Sequence, residues 1–283
     1  MVSPQDTRSS RRRFLTLGLG SVAALAGYAV GVERYLFQVN RYEIPLARLP
    51  KAFDGFTIAQ IADLHYGSLM PMGVVRHVLS RVGALGVDMI VGTGDYVHER
   101  NLTDQIDAVW PELARLRAPF GVWSVLGNHD HWADTARSFE WLAETGQSVR
   151  HRAVAVGKAG ERIWIGGSGD LWEDALGIDE AFRETPPEEC KVLLCHNPDA
   201  VDTSFQTEID LVMAGHTHGG QVVVPFLGAP VLPVRNKRYS SGLVTTPRTR
   251  VFISRGVGWA LLPVRFNCPP EIAVLQLRCA ASA

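Results

Sequence analysis

Cysteine is scarce in this chain of 283 residues, which contains four. The cysteines form no C-x-x-C motif and have no partner histidines at zinc-finger spacing, which argues against a structural zinc site. Cys190 and Cys195 flank KVLL, a segment typical of a strand, and five extended residues span about 16 Å, which is too far for a disulfide. A Cys268–Cys279 bridge stays open, beside the simpler interpretation that all four cysteines are ordinary small buried residues.

The chain also lacks an excess of either charge. Its formal net charge is -1 at pH 7, whereas nucleic-acid binding usually needs a clustered basic face. Nucleic acid is therefore not favoured as a partner. We find no internal repeat, and no low-complexity segment beyond the N-terminus. With 46% hydrophobic and 20% charged residues, the composition is that of a globular protein, and we expect one domain with a short appendage.

The appendage is an apolar segment that runs without a charge from Phe14 to Val32. It follows SRRRFLT, and paired arginines before Phe-Leu and a Gly/Ala-rich apolar run resemble a bacterial twin-arginine export signal. A plain membrane anchor and a buried helix are the alternatives. Nineteen helical residues reach about 28 Å, so the segment could also span a bilayer if it is retained.

From this segment we interpret residues 1–32 as a signal or membrane anchor. Ala24-Leu25-Ala26 offers a cleavage pattern early in the apolar run, so cleavage and retention both stay open. In either case we expect export through the twin-arginine machinery and membrane contact through the N-terminus. The remaining domain is then expected in the periplasm or at the extracytoplasmic face of the inner membrane.

Downstream, strands and helices alternate. FQVNRYEIPL indicates an edge strand, and FTIAQIADLH, VDMIVGTGD and GVWSVLGNHD indicate buried strands separated by segments of helical periodicity. This βαβαβα series predicts a layered α/β core with parallel strands. From residue 150 the pattern changes to short strands, among them ERIWIGGSG, KVLLCH, DLVMAG, QVVVP and TRVFISRG, which predict a second sheet.

Polar side chains follow these strands at the point where each one ends. They are Asp63 and His65 in ADLH, Asp95 in GTGD, Asn128 and His129 in GNHD, His196 in LLCHN, and His216 and His218 in AGHTHGG. Side chains alternate in an extended segment, so we expect Asp63 and His65 to point to one face. The same spacing applies to His216 and His218. Carboxylate oxygens and imidazole nitrogens suit Mn, Fe, Zn or Mg rather than a thiolate-preferring metal.

The ordered succession D-x-H, G-D, G-N-H-D, H and G-H-x-H resembles the calcineurin-like metallophosphoesterases over residues 36–279. The resemblance implies an α+β fold, a four-layer α/β/β/α sandwich of two mixed sheets. AGHTHGGQ, the Pro-rich loop after it and RYSSGL look most like the bacterial exported or membrane-anchored phosphodiesterases. Some members of that subgroup and its relatives cleave the pyrophosphate of UDP-diacylglucosamine.

The resemblance also implies two divalent metal ions. Carried over by motif, three residues would bind the first ion, three would bind the second, and one would bridge them. The first set is Asp63, His65 and His218, the second is Asn128, His196 and His216, and the bridging residue is Asp95. His129 matches the family histidine near the leaving group, and Asp130 matches its orienting neighbour.

The implied function is hydrolysis of phosphodiester or pyrophosphate bonds by a metal-bridged hydroxide, with a phosphate-ester substrate that is lipid-linked if the enzyme acts at its membrane. A phosphomonoesterase on the same two-metal centre is the enzyme alternative. A non-catalytic scaffold and a metal store are the others, and a complete ligand set with His129 beside it argues against both.

Several further residues have open interpretations in the sequence. His131 and Trp132 line the pocket or form an exposed loop pair, and Asp170 leaves a strand in the manner of Asp95. The loop residues Arg235, Lys237, Arg238 and Tyr239 grip a second phosphate or head group, or are solvated charge. His77, His98 and His151 have no spacing argument, and Trp164 and Trp172 are interpreted as core.

Overall fold

Two β-sheets face each other in this structure, a computed structural model that describes residues 4–280, without the side chains of residues 4–12 and 15. The start of the predicted signal and the side chains of its paired arginines therefore lie outside the described residues. The first sheet has the strand order β1-β11-β2-β3-β4. Its strands are β1 (Gln38–Leu46), β2 (Thr57–Ile61), β3 (Met89–Thr93), β4 (Val122–Val125) and β11 (Glu271–Cys279). All neighbours are parallel except β11 and β2, so this sheet is mixed.

The second sheet has the strand order β5-β6-β7-β8-β10-β9. Its strands are β5 (Ala153–Lys158), β6 (Glu161–Gly167), β7 (Lys191–Leu194), β8 (Leu211–Ala214), β9 (Gly242–Thr245) and β10 (Arg250–Ile253). Strands β6, β7, β8 and β10 are parallel to one another, and the edge strands β5 and β9 each pair antiparallel with their neighbour. This second sheet is therefore also mixed, and its central strands run in one direction.

Helices cover the outer faces of both sheets and complete four layers. They are α2 (Met72–Gly83), α3 (Thr103–Leu113), α4 (Asn128–Glu144) and α5 (Ile178–Ala181), whereas the N-terminal helix α1 (Pro4–Gly31) is not part of these layers. Apolar side chains of α2 and α3 pack on the first sheet, whereas the second sheet is covered by α5 and the 3₁₀ turn Pro198–Asp202. The predicted α+β four-layer sandwich of two mixed sheets is confirmed.

The innermost core lies between the two sheets. Ile58, Val91 and Leu275 of the first sheet are completely buried in one cluster with Val192 and Phe252 of the second. Burying an aliphatic or aromatic side chain of this size stabilises the fold by about 1.5–3 kcal/mol. This apolar layer fixes the two sheets against each other, and with them the ends of their strands.

The strands of the second sheet differ from the sequence prediction in two places. QVVVP forms no strand, and only isolated bridges at Val222 and Val224 interrupt an irregular loop there. Strand β9 was not predicted, since its alternating exposure reflects an edge position and its sequence carries little apolar signal. Pro111 lies inside α3, near its carboxyl end. All four cysteines are free, so no Cys268–Cys279 disulfide is formed.

Helix α1 stands apart from the layers. By length and composition, Thr16–Tyr35 could cross a membrane, and most of this window is exposed. The helix ends at Gly31, and a 3₁₀ turn, Glu33–Tyr35, leads into β1.

Candidate metal centre

The predicted site residues all lie just beyond the carboxyl ends of parallel strands. Asp63 and His65 follow β2, Asp95 follows β3, and His196 follows β7. Asn128 and His129 follow β4 at the start of α4, and the two remaining histidines follow β8. In α/β sheets, the crevice beyond the carboxyl ends of the strands is where ligands bind. The two stacked sheets therefore bring five strand ends to one place.

The convergence has a different cause from the expected alternation of side chains. Asp63 and His65 lie beyond the end of β2 and have φ values of 54° and 50°, and Asp95, His216 and His218 are also left-handed. An extended segment does not contain such residues, so the alternation argument was wrong although the side chains do meet. Left-handed non-glycine residues are uncommon, and they cluster at functional sites where the surroundings hold them.

The first group of candidate ligands contains Asp63, His65 and His218, all buried. One ligand atom of each lies within 4.8 Å of the others. The Nε2 atoms of His65 and His218 are 3.0 Å apart, and His218 Nε2 is 3.6 Å from Asp63 Oδ1. These are the three residues that the family resemblance gives to the first ion.

The second group contains Asp95, His196 and His216. His196 Nε2 lies 3.1 Å from His216 Nδ1 and 3.2 Å from Asp95 Oδ2. The same Asp95 oxygen is 3.5 Å from His65 Nε2 in the first group. Asp95 thus lies between the two groups, which is the position that the resemblance implies for a bridging carboxylate.

The outer nitrogens of the two histidines in the second group have carbonyl partners, which leaves their inner nitrogens to face the site. His196 Nδ1 lies 2.8 Å from the Thr93 carbonyl, and His216 Nε2 lies 3.0 Å from the Pro233 carbonyl. Each outer nitrogen is therefore assigned a proton, and in the neutral form of both rings His196 Nε2 and His216 Nδ1 would face each other as two lone pairs. Such carbonyl partners are typical of histidines that bind metals.

Two buried oxygens support the same conclusion. Asp63 Oδ2 and Asn128 Oδ1 are inaccessible to solvent and have no hydrogen-bond partner among the described residues. A buried acceptor without a donor is costly, and so are facing imidazole lone pairs. A divalent cation would satisfy these oxygens and nitrogens together, so the donor set fits two such ions.

The pKa values of the polypeptide alone reflect this crowding. Burial raises the pKa of the Asp63 carboxyl to about 7. Burial and the neighbouring His129 hold the pKa of His65 well below its usual value. Burial also opposes the charged form of His196, but the adjacent Asp95 carboxylate outweighs this effect and raises the pKa of His196 to about 10. Both Asp63 and His196 must lose a proton before they can bind a cation.

Two glycines make this packing possible. A Cβ on Gly127 would lie 2.4 Å from Asp95 Oδ1 and 2.7 Å from His196 Nδ1. A Cβ on Gly215 would lie 2.7 Å from Asp63 Oδ2. Any side chain at these positions would displace a candidate ligand, which is why glycine precedes both G-N-H-D and G-H-x-H.

His129 lies beside both groups, with its backbone and its ring fixed separately. Its N–H donates to Asp95 Oδ1 over 2.8 Å, and its Nδ1 lies 2.6 Å from the His98 carbonyl. The ring contacts His65 at a centroid distance of 4.5 Å. Because the Nδ1–H group donates to the His98 carbonyl, Nε2 is the nitrogen left to exchange a proton with a ligand.

Asp130 has a different contact from the one expected. Its carboxylate accepts hydrogen bonds from the backbone N–H groups of Asp95, Tyr96, Val97 and Gly127. It thereby ties the loop after β3 to the loop after β4. The orienting contact of His129 comes from the His98 carbonyl, so we assign Asp130 the positioning of the backbone instead.

His98 is the residue that sequence reasoning missed. Its Nδ1 is 3.3 Å from His65 Nδ1, and its ring stacks on His129. His65, His98 and His129 form a third group of potential ligand atoms. The only sequence signal is a lone histidine shortly after Asp95, which carries no family motif.

Aromatic rings form the rim of the site. The ring centroids of Trp132 and His129 are 4.6 Å apart, and so are those of Trp172 and His216. The prediction that Trp172 belongs to the core was wrong, because half of its surface is exposed. Trp132 also lies under the guanidinium of Arg100. Trp132 thus lines the site, whereas His131 is buried against Phe139.

The remaining candidates are placed farther out. The buried Asp170 carboxylate accepts the N–H groups of Trp172 and Glu173 and shapes the rim. The Lys237 ammonium donates to carbonyls of its own loop. Tyr239 is buried on Asp202. Arg235 and Arg238 are exposed.

Comparison with known proteins agrees with this geometry. Residues 56–220 match the protein family described as Calcineurin-like phosphoesterase. The chain is 32% identical to the phosphodiesterase YaeI of Escherichia coli, over 95% of this chain and 99% of that protein. It is 31% identical to the metallophosphoesterase YkuE of Bacillus subtilis, over 96% and 98% respectively. It is 24% identical to the UDP-2,3-diacylglucosamine pyrophosphatase LpxG of Chlamydia muridarum, over 81% and 86%.

Proposed function

The chain belongs to the calcineurin-like phosphoesterase family and is thus a hydrolase, and we propose that it cleaves phosphodiester or pyrophosphate bonds at a centre of two divalent ions. The observation that carries this proposal is the approach of His196 Nε2 and His216 Nδ1 to 3.1 Å, beside an Asp63 oxygen that has no hydrogen-bond partner among the described residues. The ions would be Mn, Fe, Zn or Mg. When bound, they would supply a hydroxide nucleophile at neutral pH and balance the charge of the phosphoryl oxygens.

The chain's own residues have distinct tasks in this reaction. Asp63, His65 and His218 would hold one ion and Asn128, His196 and His216 the other, with Asp95 between them. His129 would give a proton from Nε2 to the departing oxygen as the P–O bond breaks. The His98 carbonyl accepts the Nδ1 hydrogen, so the proton that the protonated ring gives up is the one on Nε2, and Asp130 holds the two loops together.

The test is turnover of bis-p-nitrophenyl phosphate and p-nitrophenyl phosphate by the full chain, stripped of metal and reloaded with one metal at a time. We expect diester cleavage that depends on metal and is lost in Asp95→Asn but not in Asp104→Asn, the same change on an exposed helix position. Preference for the monoester would indicate a phosphatase instead. No turnover with bound ions would indicate a scaffold.

We extend the proposal to the location of the enzyme. SRRRFLT before an exposed apolar helix supports export by the twin-arginine route, with the domain periplasmic or at the extracytoplasmic face. The relative LpxG is named as a pyrophosphatase of UDP-2,3-diacylglucosamine, a diacylated sugar nucleotide. A lipid-linked phosphoester is therefore the substrate class that we propose for this chain.

Protease protection in spheroplasts tests the location. Replacing Arg11 and Arg12 together by lysine should abolish export of the domain, while Arg13→Lys should not, because the signal depends on the paired arginines. Export of the double variant at the wild-type level would contradict the twin-arginine route.

A further inference from the structure

A loop that exposes large apolar side chains begins directly after His218. We call residues 221–233 (QVVVPFLGAPVLP) the first apolar loop. Phe226 is fully exposed, Leu227 is 84% exposed and Val231 is 65% exposed. Two hydrogen bonds of 2.9 Å between Val224 and Gly228 close the tip into a tight turn. This turn holds Phe226 at a φ of 68°, which is a left-handed conformation that disfavours an aromatic residue.

A second exposed apolar segment lies against the first. We call residues 259–264 (WALLPV) the second apolar loop, in which Leu261 is 85% and Leu262 is 64% exposed. The Gln221 side-chain amide donates to the Leu262 carbonyl over 3.0 Å and accepts the Ala260 N–H. The Val223 N–H donates to the Phe266 carbonyl over 2.9 Å. These bonds clamp the two loops into one surface.

The same surface is fixed to the end of helix α1. The Arg265 N–H donates to the Ala29 carbonyl over 3.1 Å, and the Arg34 guanidinium donates to the Pro263 carbonyl over 3.4 Å. Tyr35 meets Trp259 edge-on at 5.8 Å, and the guanidinium of Arg34 lies over the Trp259 ring. The two loops are therefore held where the exposed apolar helix ends.

The sequence segment that contains the two loops carries charge of one sign. Residues 211–270 contain no Asp or Glu, but seven Arg or Lys. The two apolar loops themselves carry no charge, and the exposed Arg235 and Arg238 follow the first loop directly. Apolar side chains with basic residues at their edge suit the headgroup boundary of an anionic membrane.

We propose that the two apolar loops form a membrane-docking surface, which inserts into the leaflet that α1 enters and holds the catalytic domain against the bilayer. The occupant is lipid because the surface is continuous with a helix whose apolar window, Thr16–Tyr35, is about 30 Å long and matches the hydrocarbon core. Tyr35 and Arg34 at its end are residue types typical of the membrane interface.

Docking determines which substrates reach the metal centre. The first apolar loop starts beside His218 and returns at Pro233, whose carbonyl contacts His216. Leu227 precedes Pro233 by six residues, so their Cα atoms lie within about 22 Å. The centre thus receives phosphoesters in the headgroup layer of that leaflet. This consequence for substrate rests on the proposed hydrolase function, whereas the docking itself does not.

The docking is tested by fluorescence quenching of the full chain in vesicles of phosphatidylethanolamine and phosphatidylglycerol. The exposed Cys279 is replaced by serine, and a fluorophore is attached at Leu227→Cys, at Leu261→Cys, or at Glu188→Cys. Glu188 is exposed and precedes β7, at the end opposite to the metal centre. We expect nitroxide on lipid acyl chains to quench the labels at 227 and 261, and iodide in water to quench the label at 188. A label at 227 that iodide quenches and lipid does not would overturn the proposal.

Shielding of the label at 227 from both quenchers would mean that a protein, such as a second copy, covers the loop, and would also overturn the proposal.

A second experiment separates docking from catalysis. Phe226→Ser with Leu227→Ser should reduce hydrolysis of a diacylglyceryl p-nitrophenyl phosphate in the vesicles by about tenfold or more. Turnover of soluble bis-p-nitrophenyl phosphate should stay within about twofold, as it should for Leu243→Ser at an exposed position of β9. Equal losses on both substrates would contradict docking, and absence of soluble turnover in every variant would contradict the hydrolase proposal alone.

Discussion

The metal centre and the apolar loops beside it depart from ordinary protein surfaces in opposite ways. The centre buries polar atoms, such as Asp63 Oδ2 and Asn128 Oδ1, that find no hydrogen-bond partner in the part of the chain that the structure describes. The loops expose Phe226 and Leu227, which have no cover. Folded proteins usually pair their buried polar groups and limit exposed apolar patches. Each departure indicates a component from outside the chain, a cation in one region and a lipid layer in the other.

The largest effect is expected where the buried region loses a charge. Asp63→Asn keeps the oxygen that accepts the His216 N–H and removes the negative charge. We expect diester turnover to fall by about 10³-fold or more, because the charge that holds one ion is lost. Metal content of the purified variant, measured by mass spectrometry, should fall with it. Full metal content and full activity would show that the unpartnered oxygen does not indicate a cation.

A smaller and selective effect is expected from His129→Ala. Loss of the proton donor should lower kcat by about 10²-fold for a diester with an alkoxide leaving group, and less for a nitrophenol, which leaves without a proton. Metal content should stay unchanged, since His129 is not in either proposed ligand set. Equal losses with both leaving groups would show that His129 is not the donor.

Metal affinity should depend on pH with a defined sign. The raised pKa values of Asp63 and His196, about 7 and about 10, mean that both groups hold protons in slightly acidic solution. A cation must displace these protons, so affinity should rise with pH by about tenfold per pH unit for each proton released. Titration calorimetry with Mn²⁺ in two buffers of different ionisation enthalpy measures the released protons. Binding without proton release would contradict these protonation states.

The smallest effect is expected at the tip of the exposed region. Phe226→Gly should change the free energy of unfolding by no more than about 1 kcal/mol, because relief of the left-handed strain and the greater freedom of the unfolded chain oppose each other. The buried Phe252 is the matched control, and Phe252→Ala should cost about 3–5 kcal/mol. Thermal unfolding of the full chain in detergent compares them. A large loss in Phe226→Gly would show that the tip packs against the protein.

The sequence was sufficient for the strand ends and the order of the motifs, since apolar runs that stop at polar residues are local signals. It was insufficient where contacts join distant segments. Strand β11 lies between β1 and β2, and the carbonyl that orients His129 belongs to His98. Trp172 was assigned to the core because size and apolarity do not distinguish a rim from an interior.

The exposed loops show a further limit of sequence reasoning. QVVVP has the composition of a strand and is predicted to be one, but Pro225 and the turn at Phe226 keep it irregular. Only the accessible surface shows that the apolar residues at the tip of the first apolar loop face outward. The roles of the predicted ligands stay predictions, although the structure places their side chains together.

The most direct measurement is anomalous diffraction from crystals of the protein loaded with Mn²⁺, collected for the wild type and for Asp95→Asn. The account predicts two peaks in the wild type, one among Asp63, His65 and His218 and one among Asn128, His196 and His216, and loss of at least one of them in the variant. A cluster without peaks, or a single peak that is unaffected by the Asp95 substitution, would contradict it.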